Sequence, residues 1–383
     1  EKVIIVDKTP FYAEAGGQIG DSGVITGRSG KALISDTTSL PSGQYLHMVE
    51  ELDGELTVGE IVQASVDEVK RLSIQRHHTG THLLHWALRE VLGDHVKQQG
   101  SWVGPERLRF DFSHYGSLSE DEIETIEDLV NKEIFSDSNV EVIETEMDEA
   151  KRLGAIAFFG DKYGDTVRVL KAGGNSIELC GGTHVTQLSD IGPLKIISEG
   201  SIGSNIRRIE AVVEDGSIQL IRDHQKTLEE IANTLGVSSA NTVEGLTKKI
   251  REVEELQEEI LALRRAFVLN EVEKLVQNAQ NGVLVQRVEG IGREDLKDLV
   301  MQLKSKETIE IVVLGVALEN GGAAIAAAVS DQSSHDASEL ISEASKVIKG
   351  GGGKGKDFAM AGGKDAQELD QALSIARKAA GID

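Results

Sequence analysis

Between Ser217 and about residue 280 the chain contains no proline, and in the second half of this stretch apolar residues recur at Ile250, Val253, Leu256, Ile260, Leu263 and Phe267. Steps of 3, 3, 4, 3 and 4 residues keep them on one stripe of a helix, flanked by interleaved Glu, Lys and Arg, as in a coiled-coil seam. Gly236 to Thr242 breaks the helical pattern once, so the expected unit is an antiparallel helical hairpin over residues 215–281, acting as a spacer. Its second helix would span roughly 50–60 Å at 1.5 Å per residue. A chain of 383 residues is too long for one compact core, and the spacer separates what lies on either side of it.

On the N-terminal side, Val3 to Val6, Gly23 to Thr26, Ala32 to Ser35, Gln44 to Val49 and Ile61 to Val66 read as short strands between Gly, Asp and Ser clusters, which predicts a small β-barrel over residues 1–66. Residues 67–214 mix helices and strands. Leu83, Leu84, Ala87, Leu88, Val91 and Leu92 predict a helix up to Gly93, and Arg107 to Phe112 alternates like a half-buried strand. Ser119 and Glu122 form a capping-box signature for a helix to Phe135. Residues 282–383 alternate strands and helices as a C-terminal α/β domain, interrupted by a Gly-rich, lysine-bearing loop. The expected fold class is α+β multidomain: barrel, α+β domain, helical hairpin and α/β domain.

With 40 basic against 64 acidic residues, the net charge of -24 excludes a chain that coats nucleic acid indiscriminately, though not local recognition by a few placed residues. No run approaches the roughly 18–20 apolar residues of a membrane helix. A single cysteine, Cys180, and no signal peptide lead us to expect a reducing, cytoplasmic setting. The chain opens at Glu1, without a methionine, as expected of an excised or processed piece.

Two short motifs carry chemistry. His78-Thr79-Gly80-Thr81-His82 places two imidazoles one helical turn apart on one face, with His77 and His85 as further histidines nearby. Cys180-Gly181-Gly182-Thr183-His184 pairs the lone cysteine with an imidazole across two glycines that permit a tight turn. One thiolate and three imidazoles suit a tetrahedral zinc site, and such soft and borderline donors favour zinc. Four protein ligands normally close a structural site, so this composition leaves open whether the metal is catalytic. His-Thr-Gly-Thr-His lacks the glutamate base of a zinc peptidase motif. From Lys346 to Lys364 there are five lysines and one acid, a basic island where an RNA backbone can dock.

The two motifs together resemble the editing domain of alanyl-tRNA synthetases and of free-standing alanyl-tRNA deacylases, and more distantly that of threonyl-tRNA synthetases. Residues 9–18, Leu108 to His114 and Ile206 to Ala211 agree with that pattern. The hairpin and the Gly-rich tail resemble the C-terminal part of the alanyl family and the C-terminal domain of DHH-type phosphoesterases. The likeness covers essentially the whole chain, with no counterpart of the aminoacylation half. It implies hydrolysis of seryl and glycyl esters on tRNA(Ala), with one zinc ion per chain on His78, His82, Cys180 and His184. It implies Thr81 and Gln98 (or its neighbour Gln99) in the catalytic pocket, Gly16 and Gly17 approaching the ester, and Arg207 and Arg208 at the RNA. Lys354, Lys356 and Lys364 would contact the tRNA, and the C-terminal domain would support a homodimer. The alternative is a catalytically silent, tRNA-binding and dimerising fragment with a structural zinc. Gly80 stands where alanine is common in the family, and Ala15 where serine is common.

Overall fold

The computed structural model describes residues 2–156, 166–319 and 321–382. The chain divides into two compact units, Glu1–Glu230 and Ile231–Asp383.

The first unit opens with β1 (Lys2–Ile4), β2 (Gly23–Thr26), β3 (Ser29–Ser39), β4 (Tyr45–Glu55) and β5 (Gln63–Val66), an antiparallel sheet in the order β1-β4-β3-β2-β5. Among the described residues no pairing closes β5 onto β1, so the strands expected to make a barrel are ordered as an open sheet. Register shifts around Ile34 bend β3 against β4 over a small core of Phe11, Ile25, Ala32 and Ile34.

Helix α1 (Glu68–Leu92) starts where the Asp67 side chain accepts a hydrogen bond from the Lys70 amide, and stops at Gly93, whose φ of 108° a side chain disfavours. Every residue from His77 to His85 is buried, so α1 threads the middle of the unit instead of lying on its surface. Arg71 of α1 ion-pairs with the buried Asp21 and donates to the Pro10 carbonyl at 2.8 Å. Asp21 in turn accepts from the Tyr12 amide at 2.6 Å, so the segment from residue 10 to residue 21 is pinned against the helix.

The unit continues through β6 (Gln98–Val103), β7 (Leu108–Ser113), α2 (Glu120–Ile134), β8 (Val140–Glu146), α3 (Met147–Arg152), β9 (Thr166–Ala172), β10 (Ser176–Leu179), β11 (Leu194–Gly203) and β12 (Ile206–Val213). Two sheets result, β11-β12-β7-β6 and β10-β9-β8. Leu84 and Leu88 of α1 and Ile126 and Val130 of α2 share one core with Phe110 and Phe112 of β7. The alternation read as a half-buried strand proves to belong to an inner strand. β7 lies between β12 and β6, and Asp111, on the opposite face from Phe110 and Phe112, is buried as well, paired with Arg208.

Helix α4 (Asp215–Leu235) carries the boundary between the units. A 3₁₀ turn at Ser239–Asn241, where the break was expected, precedes α5 (Thr242–Val276). Its seam residues Ile250, Val253, Leu256, Ile260 and Leu263 are each at least half exposed.

The second unit adds β13 (Val283–Val288), α6 (Arg293–Lys304), β14 (Ile311–Ala317), β15 (Ala323–Val329), α7 (Ala337–Val347), β16 (Gly351–Gly352), β17 (Phe358–Gly363) and α8 (Leu369–Ala379), with the sheet ordered β13-β14-β15-β17-β16. Among the described residues of this sheet only β13 and β14 run parallel, joined by α6 as crossover. Val283 and Val285 face α7 and α8, while Leu284 faces α6 and the end of α5, giving three layers. The Gly-rich stretch expected as a loop contributes the inner strand β17, because Ala359 and Ala361 are small enough to bury between β15 and α7. Among the described residues no helix is long and apolar enough to cross a membrane.

Candidate active site and metal centre

His78, His82, Cys180 and His184 converge in the first unit, with one potential ligand atom from each lying within 4.8 Å of all the others. Cys180 Sγ is 3.4 Å from His78 Nε2 and 3.2 Å from His184 Nε2. A tetrahedral ion with bonds of about 2.3 Å to sulfur and about 2.0 Å to nitrogen needs ligand-to-ligand edges of roughly 3.3–3.6 Å. The two contacts to Cys180 match such edges, and the remaining donors, all within 4.8 Å of one another, can close around one metal ion.

Each imidazole is oriented through its Nδ1 by a different neighbour. Gln18 Oε1 accepts from the Thr183 amide at 2.9 Å, which fixes its carboxamide orientation, so the 2.7 Å contact from His78 Nδ1 must be an N–H donated to Gln18. Thr79 Oγ1 donates to the Gln75 carbonyl at 2.9 Å and so accepts from His184 Nδ1 at 3.2 Å. Glu178 accepts from His82 Nδ1 with one oxygen and from His85 Nδ1, at 2.8 Å, with the other. With Nδ1 protonated in all three rings, each Nε2 is left as a lone-pair donor.

The electrostatics favour ligation at Cys180 and His184, whereas at His82 burial is outweighed by Glu178 and Cys180, which push its ring up to about 10, a proton that a bound ion would have to displace. Burial works against a charge on Cys180, but His78 and His82, together with the close contacts to His184 and His78, outweigh it and push the thiol well below its ordinary value. Burial likewise opposes the charge on Glu178, yet His82 and His85 hold its carboxyl down at about 2. Burial pushes His184 down to about 3, favouring the neutral ring a metal needs. The tight approach depends on Gly182, where a Cβ would lie 2.0 Å from His78 Cε1. Arg168 secures the same loop by donating to the carbonyls of Cys180, at 3.1 Å, and Gly182.

Three of the four ligands, His78, His82 and Cys180, form one wall of a cleft of about 680 Å³. Thr81, Gln98, Gln99, Gly16 and Gly17 line it too, so residues from Tyr12 to Gly182 meet there. Gly16 and Gly17, with φ of 58° and 85°, close a tight turn between Ala15 and Gln18 that suits glycine at both positions. A Cβ on Gly17 would come within 2.5 Å of the Ser101 carbonyl oxygen, so this turn lies flat on β6. Thr81 Oγ1 donates to the His77 carbonyl at 2.8 Å, which leaves it an acceptor toward the cleft. Arg207 and Arg208 do not line the cleft. Glu199 holds Arg207 at 2.5 and 2.6 Å, and Asp111 holds Arg208 at 2.7 and 2.8 Å. Lys354, Lys356 and Lys364 lie in the second unit, all exposed, the first two between β16 and β17 and the third directly after β17.

The structure also separates the neighbouring histidines. His77 turns to the Ser73 carbonyl at 2.9 Å, and burial pushes it down to about 4. His85 serves Glu178 and lines the cleft. Gln18, Thr79, Glu178 and Arg168 are the functional neighbours that sequence reading left without a role. For His85, its place one turn beyond His82 was the available signal; Gln18 ends the matched segment of residues 9–18.

Comparison with known proteins then gives three family models. "tRNA synthetases class II (A)" matches residues 1–70, "Threonyl and Alanyl tRNA synthetase second additional domain" matches 167–210, and "DHHA1 domain" matches 280–381. The chain is 42% identical over 385 residues to the alanine-tRNA ligase of Halalkalibacterium halodurans, covering 98% of this chain and 44% of that protein. It is 40% identical over 381 residues to that of Acetivibrio thermocellus, covering 98% of this chain and 43% of that protein. It thus spans less than half the length of these curated relatives. Among solved structures, the C-Ala domain from Aquifex aeolicus alanyl-tRNA synthetase matches 24% of this chain and 84% of that chain at 26% identity, with a TM-score of 0.23.

Proposed function

We propose, from the premise that this chain belongs to the alanyl-tRNA synthetase family and matches its C-terminal half, that it hydrolyses seryl and glycyl esters mischarged onto tRNA(Ala). The observation that supports this reading is the meeting of the Cys/His cluster with Thr81, Gln98 and the Gly16–Gly17 turn in one open cleft. The family match favours zinc as the ion on His78, His82, Cys180 and His184, as does the S/N donor set. When bound there, zinc would supply Lewis-acid polarisation or an anchor for the ester's amino group.

The chain's own residues account for selection. Thr81 Oγ1, its proton committed to His77, presents lone pairs to a donor on the substrate. The hydroxyl of a seryl ester satisfies them; an alanyl ester leaves them unpaired and desolvated, which disfavours its binding. A pocket selecting a methyl side chain during activation rejects close neighbours weakly, so a second, hydrolytic site supplies the missing discrimination. Glycine carries no hydroxyl, and its removal is not explained by this contact. Gln98, at the start of β6, offers an amide to the ester, and the flat Gly16–Gly17 turn lets backbone approach it. Arg207 and Arg208 serve the substrate by holding the β12 strand and its neighbours in place, each through a carboxylate. The exposed lysines of the second unit bind the tRNA backbone, and the unit supports a homodimer.

A second reading rests on the donor count. Four protein ligands would fill a tetrahedral coordination and make the ion structural, leaving a non-catalytic tRNA-binding fragment. One assay separates the two: hydrolysis of Ser-tRNA(Ala) beside Ala-tRNA(Ala) by this chain, with zinc quantified in the same sample. Selective loss of the seryl ester is expected. Stoichiometric zinc without hydrolysis would instead favour the structural reading.

A further inference from the structure

A row of six aromatic rings leads from the cleft wall to solvent. His85 and Phe110, both in the cleft wall, have ring centroids 5.2 Å apart. Phe110 and Phe112, two residues apart on one face of β7, follow at 6.1 Å and 17°. His114 lies 6.3 Å beyond Phe112, and His95 stacks on His114 at 5.2 Å and 26°. Tyr115 closes the row on His95 at 5.2 Å and 21°. The inner phenylalanines are core residues, but Tyr115 is 77% exposed. Core packing accounts for the buried rings and not for the last one.

The outer rings are held in place. His95 Nε2 and His114 Nδ1 share a hydrogen bond of 2.9 Å, and the His114 amide donates to the Asn205 carbonyl at 3.0 Å. Burial and the neighbouring His95 hold His114 below its ordinary value, so an uncharged ring backs the stack. A rigid ring with an open face is what an unpaired base needs: base-aromatic stacking contributes about 1–3 kcal/mol per base and tolerates any sequence. The four residue steps from Phe110 to His114 span about 13 Å of extended chain. That is the reach of roughly three to four nucleotides of a stacked strand.

We propose that the exposed face of Tyr115, backed by His95 and His114, is a stacking platform for an unpaired base near the 3′ end of the RNA whose ester occupies the cleft. The proposal rests on the deacylase reading for the identity of the RNA, and its test does not use hydrolysis. Stacking carries no charge, so it acts independently of the lysines of the second unit.

The test is binding of a short single-stranded RNA with a free 3′ hydroxyl to the full chain, read by fluorescence anisotropy at several salt concentrations. Tyr115→Ala is expected to weaken binding roughly tenfold without changing the salt slope. Tyr115→Phe and Tyr115→Trp are expected to retain it. Abasic nucleotides scanned from the 3′ end should find a position whose loss costs the unsubstituted protein as much as Tyr115→Ala does, and costs that variant nothing more. Unchanged affinity in Tyr115→Ala overturns the proposal, as does equal loss in Tyr115→Phe, or no binding by the unsubstituted chain. Stacking without seryl-ester hydrolysis would overturn the deacylase reading and leave the platform standing. Metal content, measured in each variant, controls for folding.

Discussion

His78, His82 and His184 each commit one ring nitrogen to a neighbour and turn the other to Cys180, and the neighbours come from distant parts of the chain. Thr79 lies 105 residues from His184, Glu178 96 from His82 and Gln18 60 from His78, and the Gln18 carboxamide also bonds Thr183 on the cysteine loop. Removing such an orienting partner commonly lowers metal affinity 10- to 100-fold. Gln18→Ala should therefore weaken zinc binding by roughly that factor, measured by competition with a chelating dye. Affinity equal to the unsubstituted chain would mean that packing alone orients His78. The ligands were legible because i, i+4 spacing on a helix and a Cys-Gly-Gly-Thr-His turn are local signals. Their partners were not, since a glutamine accepting from a histidine leaves no periodic trace. Gly80 poses a different question at the same scale. A Cβ there would meet Leu194 and Val213 at 3.4 Å, ordinary contact distance, in an otherwise regular helix. Gly80→Ala should raise stability by about 1 kcal/mol. Thermal unfolding monitored by circular dichroism checks this; a lowered midpoint would mean the site needs the glycine's space.

Among the elements, α2 was legible to within a residue because its start is chemical. Ser119 Oγ accepts from the Glu122 amide at 3.3 Å, and Glu122 accepts from the Ser119 amide at 2.7 Å. Ser119→Ala should cost about 1 kcal/mol, read from the urea midpoint of the full chain; an unchanged midpoint would show that tertiary packing alone sets this end. α1 was legible as a helix, but its complete burial was not, because histidines and threonines read as a polar face until their partners are known. β17 was missed for the opposite reason. Phe358-Ala359-Met360-Ala361 has the alternation of a strand, but glycines on both sides suggest a loop, and only the partners β15 and β16 make it a strand. The open sheet in place of a barrel shows a further limit: strand positions are local, whereas closure depends on which edges pair.

Across the molecule, a net charge of -24 opposes any long-range attraction to RNA. At physiological salt, fields are screened beyond about 8 Å, so a phosphate near Lys354 and Lys356 responds to its immediate surroundings. Those surroundings hold Asp357 and Asp336, but from Lys346 to Lys364 five lysines outnumber one acid. Lys346 pairs with Glu343 and Lys349 with Asp365, whereas Lys354, Lys356 and Lys364 have no ion pair among the described residues. The two tRNA contacts we propose differ in charge, a neutral stack on Tyr115 and a cationic patch on the second unit, and this makes them separable by salt. Each phosphate neutralised contributes about 0.7–0.9 to the slope of log affinity against log salt. Lys354→Gln with Lys356→Gln should therefore weaken tRNA binding and flatten that slope by roughly 1.5, in titrations of the full chain with tRNA across salt concentrations. Tyr115→Ala should shift the same line without tilting it. A double lysine variant that keeps the original slope would place the RNA backbone away from the β16–β17 connection and leave the basic island as a solvated turn.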